Sequence, residues 1–408
     1  MRLFKNTNVD FLGIKWWMIG LSLVLAILGT VSLLLKGGPR LGIDFTGGSQ
    51  LLYAFKDRPD ENAIRKIVET ANVKLDSAQR FDKPEKNQVL LRIPMEQKEG
   101  RDIAGEVTRA LSKAMFPKGS EPGAFDLNLN GGDLLLARLL AEDPEKISSR
   151  PSLDPKTEYQ KTVQAIIAAR SAKGLFHSID DVAKVPGVSP AVAAWLKEKT
   201  VVGPFTMLQA ENVGPQVGRD LRRQGLWAVA LSWAAMLAYV GIRFRSASFG
   251  TAAVVAIIHD TWITLGLCSL LSVEISLTVV AAFLTLIGYS MNDTVVVYDR
   301  IRENLQKTRK KPLPEIVNES INQTLSRTVL TSGLTFLVVV ALFFLGGEVL
   351  RPFSFVMLVG IIIGTYSSIF IAAPLVIVWE EWKAKRSPKK PAGEAAAPKG
   401  GRGNGRKG

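Results

Sequence analysis

Six apolar stretches of the chain are each long enough to cross a membrane as a helix, and they constrain the fold more than any other feature. A spanning helix needs about 20 mostly apolar residues. The stretches lie at 16–35, 225–242, 249–271, 275–298, 328–345 and 352–379. Backbone groups inside a bilayer must find their hydrogen-bond partners within the chain, so each stretch is expected to be helical. The sequence therefore predicts a polytopic α-helical membrane protein with six transmembrane helices.

Basic residues beside these stretches predict how the chain crosses the membrane. Lys and Arg concentrate in cytoplasmic loops. The segment 1–15, the loop 299–327 and the tail 383–408 are basic, whereas the two short loops on the other side offer only Arg351. Both termini are therefore expected in the cytoplasm, and the tail, which has no apolar face, is expected to be disordered. The long polar region 36–224 is expected on the outside.

The outer region is predicted to be an α+β domain. Residues 45–55 and 88–94 are rich in side chains that favour strands. Residues 62–72 and 102–115 carry apolar side chains at helical spacing. The order strand, helix, strand, helix predicts a small sheet with helices on one face. A further segment, about 119–205, is predicted as a helical insert.

The insert contains SIDDVAKVPGVSPAVAAWLK, residues 178–197, which resembles a helix-hairpin-helix element. Ser178 and Asp181 form a capping pair, the chain breaks at Gly187, and Ser189 precedes a proline that opens a second helix. Such elements often hold nucleic-acid phosphates on backbone N–H groups. Because the predicted topology places the insert outside the cell, a protein-contact module is the favoured interpretation, and no nucleic-acid partner is expected.

Asp293 raises the sharpest functional question. It stands in GYSMNDTVVVYDRIREN, residues 288–304, about 7–8 Å from the cytoplasmic end of the fourth span. A charged carboxylate in hydrocarbon costs several kcal/mol, so such groups usually face a protein interior or a water-filled cavity. Burial favours the neutral acid and makes reversible protonation possible. Arg327, at the start of the fifth span, is expected to pair with Asp293.

A polar path between the fourth and fifth spans is therefore expected to carry a proton or an ion. Its predicted members are Asp293, Asn292, Thr294, Arg327 and Thr331. The alternative is a static buried ion pair with polar helix contacts, but intramembrane ionisable residues usually mark ion pathways. His259 and Asp260, in the third span, join the path on the same principle. Adjacent residues do not share a helix face, so one of them is expected to face inward.

Two glycine clusters flank the outer region. IDFTGGSQ, residues 43–50, follows the first span, and NVGPQVGRDL, residues 212–221, precedes the second. Their candidate functional residues are Gly47, Gly48, Gly214, Pro215 and Gly218. Glycine permits tight turns and close backbone approach. The clusters are either turns at the edge of the domain or hinges for its movement, and the sequence leaves both open.

The composition of the chain argues against several classes of function. The chain has one cysteine, Cys268, and two histidines, so an intramolecular disulfide and a structural zinc site are both excluded. No nucleotide-binding loop of the GxxxxGK[ST] or GxGxxG type follows a strand. We expect neither an enzyme nor a protein with a cofactor or metal.

These motifs together resemble the SecF subunits of the SecD/SecF protein-export family. The matching segments are GIDFTGGSQL, NVGPQVGRDL, the HD pair of the third span, GYSMNDTVVVYDRIREN, and SRTVLTSGLTFLVVVALFFLGG in the fifth span. The resemblance implies half of a fold like that of the resistance-nodulation-division (RND) transporters, with SecD supplying six more helices. It also implies an inner-membrane complex that uses the proton motive force to draw preproteins out of SecYEG after the SecA step. The family's proton-path Asp and Arg fall on Asp293 and Arg327.

Two other functions compete with protein export. A proton-coupled RND-like exporter of small molecules would need two six-helix repeats or a defined outer ligand pocket, and the chain has one repeat. A membrane-anchored nucleic-acid-binding protein would rest on the hairpin element and the basic tail, and would need no intramembrane Asp. The segment from about Gly119 to Phe205 departs from the family's shorter outer domain. Sodium in place of protons stays open, because a carboxylate beside hydroxyls suits either ion.

Overall fold

The computed structural model describes residues 7–81, 84–94, 101–117, 124–150, 153–308 and 311–386. In chain order its helices are α1 (Lys15–Leu35), α2 (Ile43–Thr46), α3 (Glu61–Thr70), α4 (Ile103–Met115), α5 (Gly132–Glu142), α6 (Pro155–Lys173), α7 (Ile179–Ala183), α8 (Pro190–Lys199), α9 (Pro215–Phe244), α10 (Ala247–Leu270), α11 (Leu277–Lys307), α12 (Leu313–Leu345), α13 (Gly347–Ser367) and α14 (Ala373–Arg386). The strands are β1 (Gly48–Phe55), β2 (Ser77–Phe81), β3 (Gln88–Ile93) and β4 (Phe205–Val213). The part of the predicted basic tail beyond Arg386 lies outside the described residues.

Six helical segments of the described chain are long and apolar enough to span a membrane, which confirms the predicted fold class. They are α1, α9, α10, α11, α12 and a final segment in which a π-helical turn joins α13 to α14. α11 and α12 continue well past their apolar stretches, so the predicted loop 299–327 is largely helical. Hydropathy misses these extensions because they are charged, and ion pairs such as Lys307–Glu303 at i,i+4 spacing support them.

The outer domain is built on a four-stranded antiparallel sheet with the order β2-β3-β1-β4. The order of elements is βαββαβ, a ferredoxin-like arrangement. The two edge strands, β2 and β4, were not predicted because neither carries a clear apolar alternation. The predicted first strand, 45–55, begins too early, since Phe45 lies in the short helix α2.

The two faces of this sheet have different environments. Successive strand residues point to opposite faces, and Tyr53 and Leu91 point with their neighbours towards α3 and α4, where they form an apolar core. Leu52, Leu90 and Arg92 point the other way, towards the outer end of the helical bundle. The sheet therefore presents one face to its own helices and the other to the membrane part.

The insert forms a unit with its own core between α4 and β4. α5 to α8 pack around buried side chains that include Leu139, Tyr159 and Trp195. Both predicted hairpin helices are present, and Ser178 and Asp181 form a complete capping box. The ends of the unit lie side by side, because Leu127 N–H donates to the carbonyl oxygen of Val201, and Val201 N–H to that of Phe125, both at 2.9 Å.

Candidate functional site

Asp293 lies on the side of α11 that faces α12 and α13, and only 2% of its surface is exposed. Its Oδ2 accepts a hydrogen bond from Ser332 Oγ of α12 at 2.8 Å and lies 3.4 Å from Thr365 Oγ1 of α13. Thr365 Oγ1 is also 2.9 Å from Ser332 Oγ. A hydroxyl carries one hydrogen, so the shorter contact favours donation from Thr365 to Ser332. Ser332 is then the main donor to the carboxylate.

Asp260 of α10 forms a second buried carboxylate site and is 1% exposed. Its Oδ2 accepts hydrogen bonds from Ser290 Oγ of α11 at 2.5 Å and from Ser367 Oγ of α13 at 2.8 Å. Its Oδ1 lies 2.9 Å from His259 Nδ1. Asp260 is thus the member of the pair that faces inward. The His259 ring turns back to contact Asp260, which the sequence does not predict.

α11 and α13 connect the two carboxylate sites. Ser290 lies three residues before Asp293 on α11, and Thr365 lies two residues before Ser367 on α13. The helices approach closely because Gly364 has no side chain, and a Cβ there would lie 2.9 Å from Ser290 Cβ. Hydroxyls both donate and accept hydrogen bonds. The arrangement can therefore bind either carboxylate in its ionised or its protonated form.

The last membrane segment changes its helical winding directly after Ser367. Ser368–Ala372 form a π-helical turn between α13 and α14. Ser368 Oγ donates to the carbonyl oxygen of Thr365 at 2.8 Å, so the turn begins among the residues that contact the carboxylates. π-helical turns are rare and occur often at functional sites.

Three residues predicted for the polar path point elsewhere. Asn292 is exposed and lines a groove between α9 and α11. Thr331 is exposed, and its hydroxyl donates to the carbonyl oxygen of Arg327 at 3.0 Å. Thr294 is buried, but its hydroxyl donates to the backbone one turn earlier. Consecutive helix residues are rotated by about 100°, so the neighbours of an inward-facing residue face other sides.

Arg327 does not form the expected ion pair with Asp293. Its side chain is exposed, and within the described ranges no carboxylate lies within 4.0 Å of it. Its charge acts on Asp293 only at longer range. Thr328, the next residue, is buried and its hydroxyl has no hydrogen-bond partner among the described residues. Asp293 is therefore held by hydroxyls and not by a cation. The alternative of a static buried ion pair would need a direct contact between Arg327 and Asp293, and the structure does not show one.

Four hydroxyl residues that contact the carboxylates were not predicted: Ser290, Ser332, Thr365 and Ser367. The run TYSS, residues 365–368, is the one signal that could have revealed two of them, since it interrupts an otherwise apolar span. Ser290 and Ser332 carry no such signal. Single hydroxyl side chains are ordinary in membrane helices, and only the packing of the helices selects these two.

The two glycine clusters meet in one close-packed joint. Gly47 and Gly48 have φ values of +71° and +126°, which favour glycine. Gly218 of α9 is buried against them, and a Cβ at this position would lie 3.0 Å from the backbone nitrogen of Gly47. Gly214 and Pro215 begin α9, as its N-cap and first residue. Turns and close approach account for this geometry, and the hinge interpretation stays a prediction.

The outer domain is attached to the start of the helix that carries Asp293. Asp44 Oδ2 accepts a hydrogen bond from the backbone N–H of Leu277 at 2.8 Å and so caps α11. Gly42 N–H donates to the carbonyl oxygen of Ile275 at 2.8 Å. Arg92 of β3 forms an ion pair with Glu274, just before α11. A movement of α11 along its axis would therefore displace the sheet as well.

The described residues contain no group of three or more His, Cys, Asp or Glu side chains arranged to hold a metal ion. Cys268 is free and buried in α10, where it packs with apolar neighbours. The candidate site in the membrane part thus consists of two carboxylates bound by hydroxyls, Asp293 and Asp260, and of His259.

Comparisons with known proteins agree with this architecture. Residues 194–382 match the family described as Protein export membrane protein SecD/SecF, C-terminal, and residues 32–57 match the SecD/SecF GG motif. Protein translocase subunit SecF from Koribacter versatilis is 43% identical over 394 residues, which cover 95% of each chain. The SecF subunit from Rhodothermus marinus is 36% identical, covering 92% of this chain and 95% of the relative.

A solved structure extends the comparison to the fold. The crystal structure of SecDF, a translocon-associated membrane protein from Thermus thermophilus, is similar to this chain with a TM-score of 0.61 and 30% identity. The similarity covers 92% of this chain but 39% of the SecDF chain. The present chain thus spans about two fifths of that longer protein.

Proposed function

The chain belongs to the SecF family of protein translocase subunits, and from this premise we propose that it works with SecD to assist preprotein export through SecYEG, driven by the proton motive force after the SecA step. The match to two fifths of a SecDF chain supports a second subunit that supplies the remaining helices. The basic loops support cytoplasmic termini and an outer location for the α+β domain. The proposed role is mechanical transport and not enzymatic catalysis.

One observation carries the proton-driven part of the proposal. Asp293 is buried at a point where three helices meet, and its hydrogen-bond donors are hydroxyls. An ionised carboxylate inside a membrane costs several kcal/mol unless it is paired or solvated. Without a cation in contact, burial favours the neutral form of Asp293, whereas the hydroxyl donors and any water that enters favour the ionised form. Small changes in water access can then switch its protonation.

Protonation would change how the helices around Asp293 hold together. Hydrogen bonds to an ionised acceptor are roughly twice as strong as neutral ones, so the bond from Ser332 weakens when the carboxylate is neutralised. That loosens the contact of α11 with α12 and α13. Asp260 and His259 provide a second station, where the buried His259 Nε2 has no partner among the described residues. A proton is proposed to use both stations on its way through.

The resulting movement of α11 is proposed to reach the outer domain directly. Asp44 caps the start of this helix, and Arg92 holds the adjoining Glu274. A shift of α11 would pull on β1 and β3 together and tilt the sheet over the membrane. An unfolded preprotein held by the outer domain would then be drawn outward.

The test is pulse-chase export of a secreted preprotein in cells that carry either this chain or its Asp293→Asn form. Asparagine keeps the size of the side chain but takes no proton, so gradient-dependent export should be lost and precursor should accumulate. Asn292→Ser, one position earlier on an exposed face, is the matched control and should export normally. SecD is expressed at the same level throughout.

A protonophore separates the proton-driven mechanism from a scaffold role. It should slow export in cells with the unchanged chain and have little further effect in Asp293→Asn cells. Normal, protonophore-sensitive export by Asp293→Asn at equal protein level would overturn the proposal.

A further inference from the structure

An apolar cleft opens on the outside of the helical bundle, beside α9. It has a volume of about 320 Å³ and lies between α9, α10, α11 and the α2 region. The side chains that matter here are Phe45, Leu226, Val229, Trp233, Trp262 and Phe283, and we call this space the α9 cleft. Its walls are almost entirely apolar. Nothing in it resembles the hydroxyl cluster around the two carboxylates.

Three arginines stand at the rim of the α9 cleft. Arg222 and Arg223 follow Arg219 by three and four residues on α9, so both lie on the same side of the helix as Arg219, and Leu226 continues this side. Arg222 lines the cleft itself. All three are exposed, and none forms an ion pair within the described ranges. With Asp220 as the one acidic residue between them, this stretch has a net charge of +2.

The arginines lie where the sequence of α9 changes from charged to apolar. The apolar part of α9 begins at Gly225, two residues after Arg223, and Trp227 follows. Tryptophan is enriched at membrane interfaces, and phospholipid headgroups lie at the same depth. A basic rim above an apolar cleft matches the two parts of an anionic phospholipid.

We propose that the α9 cleft binds one anionic phospholipid from the leaflet next to the α+β domain. Its phosphate contacts the three arginines, which hold phosphate through charge-assisted hydrogen bonds, and an acyl chain fills the cleft. The unpaired positive charge selects an anionic headgroup over a zwitterionic one.

The position of this lipid gives it a mechanical role. Phe45 belongs to α2, which packs against α9 at Gly218 and leads into the Gly47–Gly48 turn. An acyl chain in contact with Phe45 would therefore brace the joint between the outer domain and the membrane part. Loss of the lipid is expected to loosen that joint.

The experiment is native mass spectrometry of the purified full chain with SecD, after delipidation and addition of phosphatidylglycerol or phosphatidylethanolamine. Phosphatidylglycerol should remain bound to the complex at least about tenfold more tightly. Arg219→Gln, Arg222→Gln and Arg223→Gln in combination should remove this preference, since each arginine near an anionic lipid contributes about fivefold in affinity. Millimolar inorganic phosphate should not compete, because it has no acyl chain.

Two further variants separate the rim from the cleft. Gly225→Leu should weaken binding of both lipids: its Cβ would lie at an ordinary 3.8 Å from Phe45 and Val280, so the helix tolerates the change while the longer side chain fills the cleft. The control removes three exposed charges from the outer domain, Lys56→Gln, Arg58→Gln and Lys66→Gln, and should retain the preference.

Several results would overturn the proposal. These are equal retention of the two lipids by the unchanged chain, a preference that persists in the triple arginine variant, or displacement by phosphate alone. A photo-crosslinking residue at Leu226 in whole cells gives an independent answer. An adduct with the mass of a phospholipid supports the proposal, whereas an adduct with another protein shows that a partner covers the cleft and contradicts it.

Discussion

At the scale of single residues, the site depends on which hydroxyl faces inward. Ser332 and Thr331 are neighbours on α12, yet Ser332 is buried and binds Asp293, whereas Thr331 is exposed and binds its own backbone. The carboxylate thus depends on donors chosen by helix orientation, and residue type alone does not identify them.

Ser332→Ala is expected to slow gradient-dependent export. It removes the main donor to Asp293, so the ionised carboxylate loses a charge-assisted hydrogen bond that contributes about 1.5–3 kcal/mol. Thr331→Val is the matched control and should leave export unchanged. The measurement is the pulse-chase export rate of both variants at equal protein level. Equal slowing of the two would mean that Ser332 has no special role.

The two buried carboxylates could be predicted from the sequence, whereas most of their partners could not. Asp293 and Asp260 stand out because a charge in an apolar stretch is costly and therefore rarely accidental. Their partners depend on how α10, α11, α12 and α13 are rotated against one another. A single sequence does not contain that rotation. The predicted direct ion pair between Arg327 and Asp293 was wrong because it also depends on how the helices are rotated.

At the scale of elements, the approach of α11 to α13 positions both carboxylate sites. Gly360 and Gly364 lie one turn apart on α13, and Cβ atoms there would come within 2.5 Å of Leu286 and 2.9 Å of Ser290. Small residues let membrane helices pack closely where lipid supplies no hydrophobic force. These glycines therefore set the distance between α11 and α13, across which the serine and threonine hydroxyls reach the carboxylates.

Gly364→Ala and Gly333→Ala are expected to have opposite effects on stability. At Gly364 the new methyl group overpacks against Ser290 and should destabilise by about 1–3 kcal/mol. At Gly333 nothing lies within 4 Å, so the better helix propensity of alanine should stabilise by up to about 1 kcal/mol. The apparent unfolding temperatures in detergent measure both. A drop of similar size in each would contradict the close-packing argument.

The insert offers a prediction about pH. Desolvation raises the pKa of Asp143, but hydrogen bonds from Ser148, Tyr159 and Ile147 outweigh this effect and lower it to about 2. A carboxylate with a lowered pKa stabilises the fold above its unfolded value of 3.8 and loses that contribution as the pH falls through about 2. The insert should therefore weaken between those two values.

Pepsin digestion of the full chain between pH 4 and pH 2 tests this prediction. Cleavage within the insert should rise steeply in the unchanged chain as the pH falls. Asp143→Asn should be cleaved readily even at pH 4 and change less. Asp133→Asn, an exposed carboxylate on α5, serves as control and should follow the unchanged chain. Identical pH profiles for all three chains would refute the role of Asp143.

The spanning helices and the hairpin helices of the insert were predictable because apolar run length and capping residues are local signals. The edge strands β2 and β4 were not, because an edge strand is half solvated and its sequence lacks alternation. The charged ends of α11 and α12 were also missed. They continue as helices because ion pairs and tertiary contacts support them, and hydropathy is blind to both.

At the scale of the whole molecule, the outer domain and the membrane part are joined at the start of α11. Arg92 is largely buried, with 8% of its side chain exposed, and it extends from the sheet to Glu274. Asp44 contributes a second contact through Leu277. Because these contacts are on one side of the sheet, they can transmit a pull to it.

Charge reversal tests this connection. Arg92→Glu or Glu274→Arg alone should lower gradient-dependent export and increase hydrogen exchange in β3, since removing one partner of a buried pair costs about 3 kcal/mol. The double reversal should recover part of both losses. Arg80→Glu, which breaks an exposed ion pair with Glu61 on the same domain, is the control. No recovery in the double variant would mean that the pair does not transmit the motion.

Within the described chain, the two ends of the insert lie side by side, where residues 125–127 lie beside Val201. A unit closed in this way can be exchanged for another without rearranging its host, since both ends already lie together. The helical bundle and the sheet can thus be regarded as a host that carries an interchangeable attachment. Grafting a different attachment between the same two ends would change the surface that this domain presents, and the buried carboxylate sites of the bundle would need no redesign.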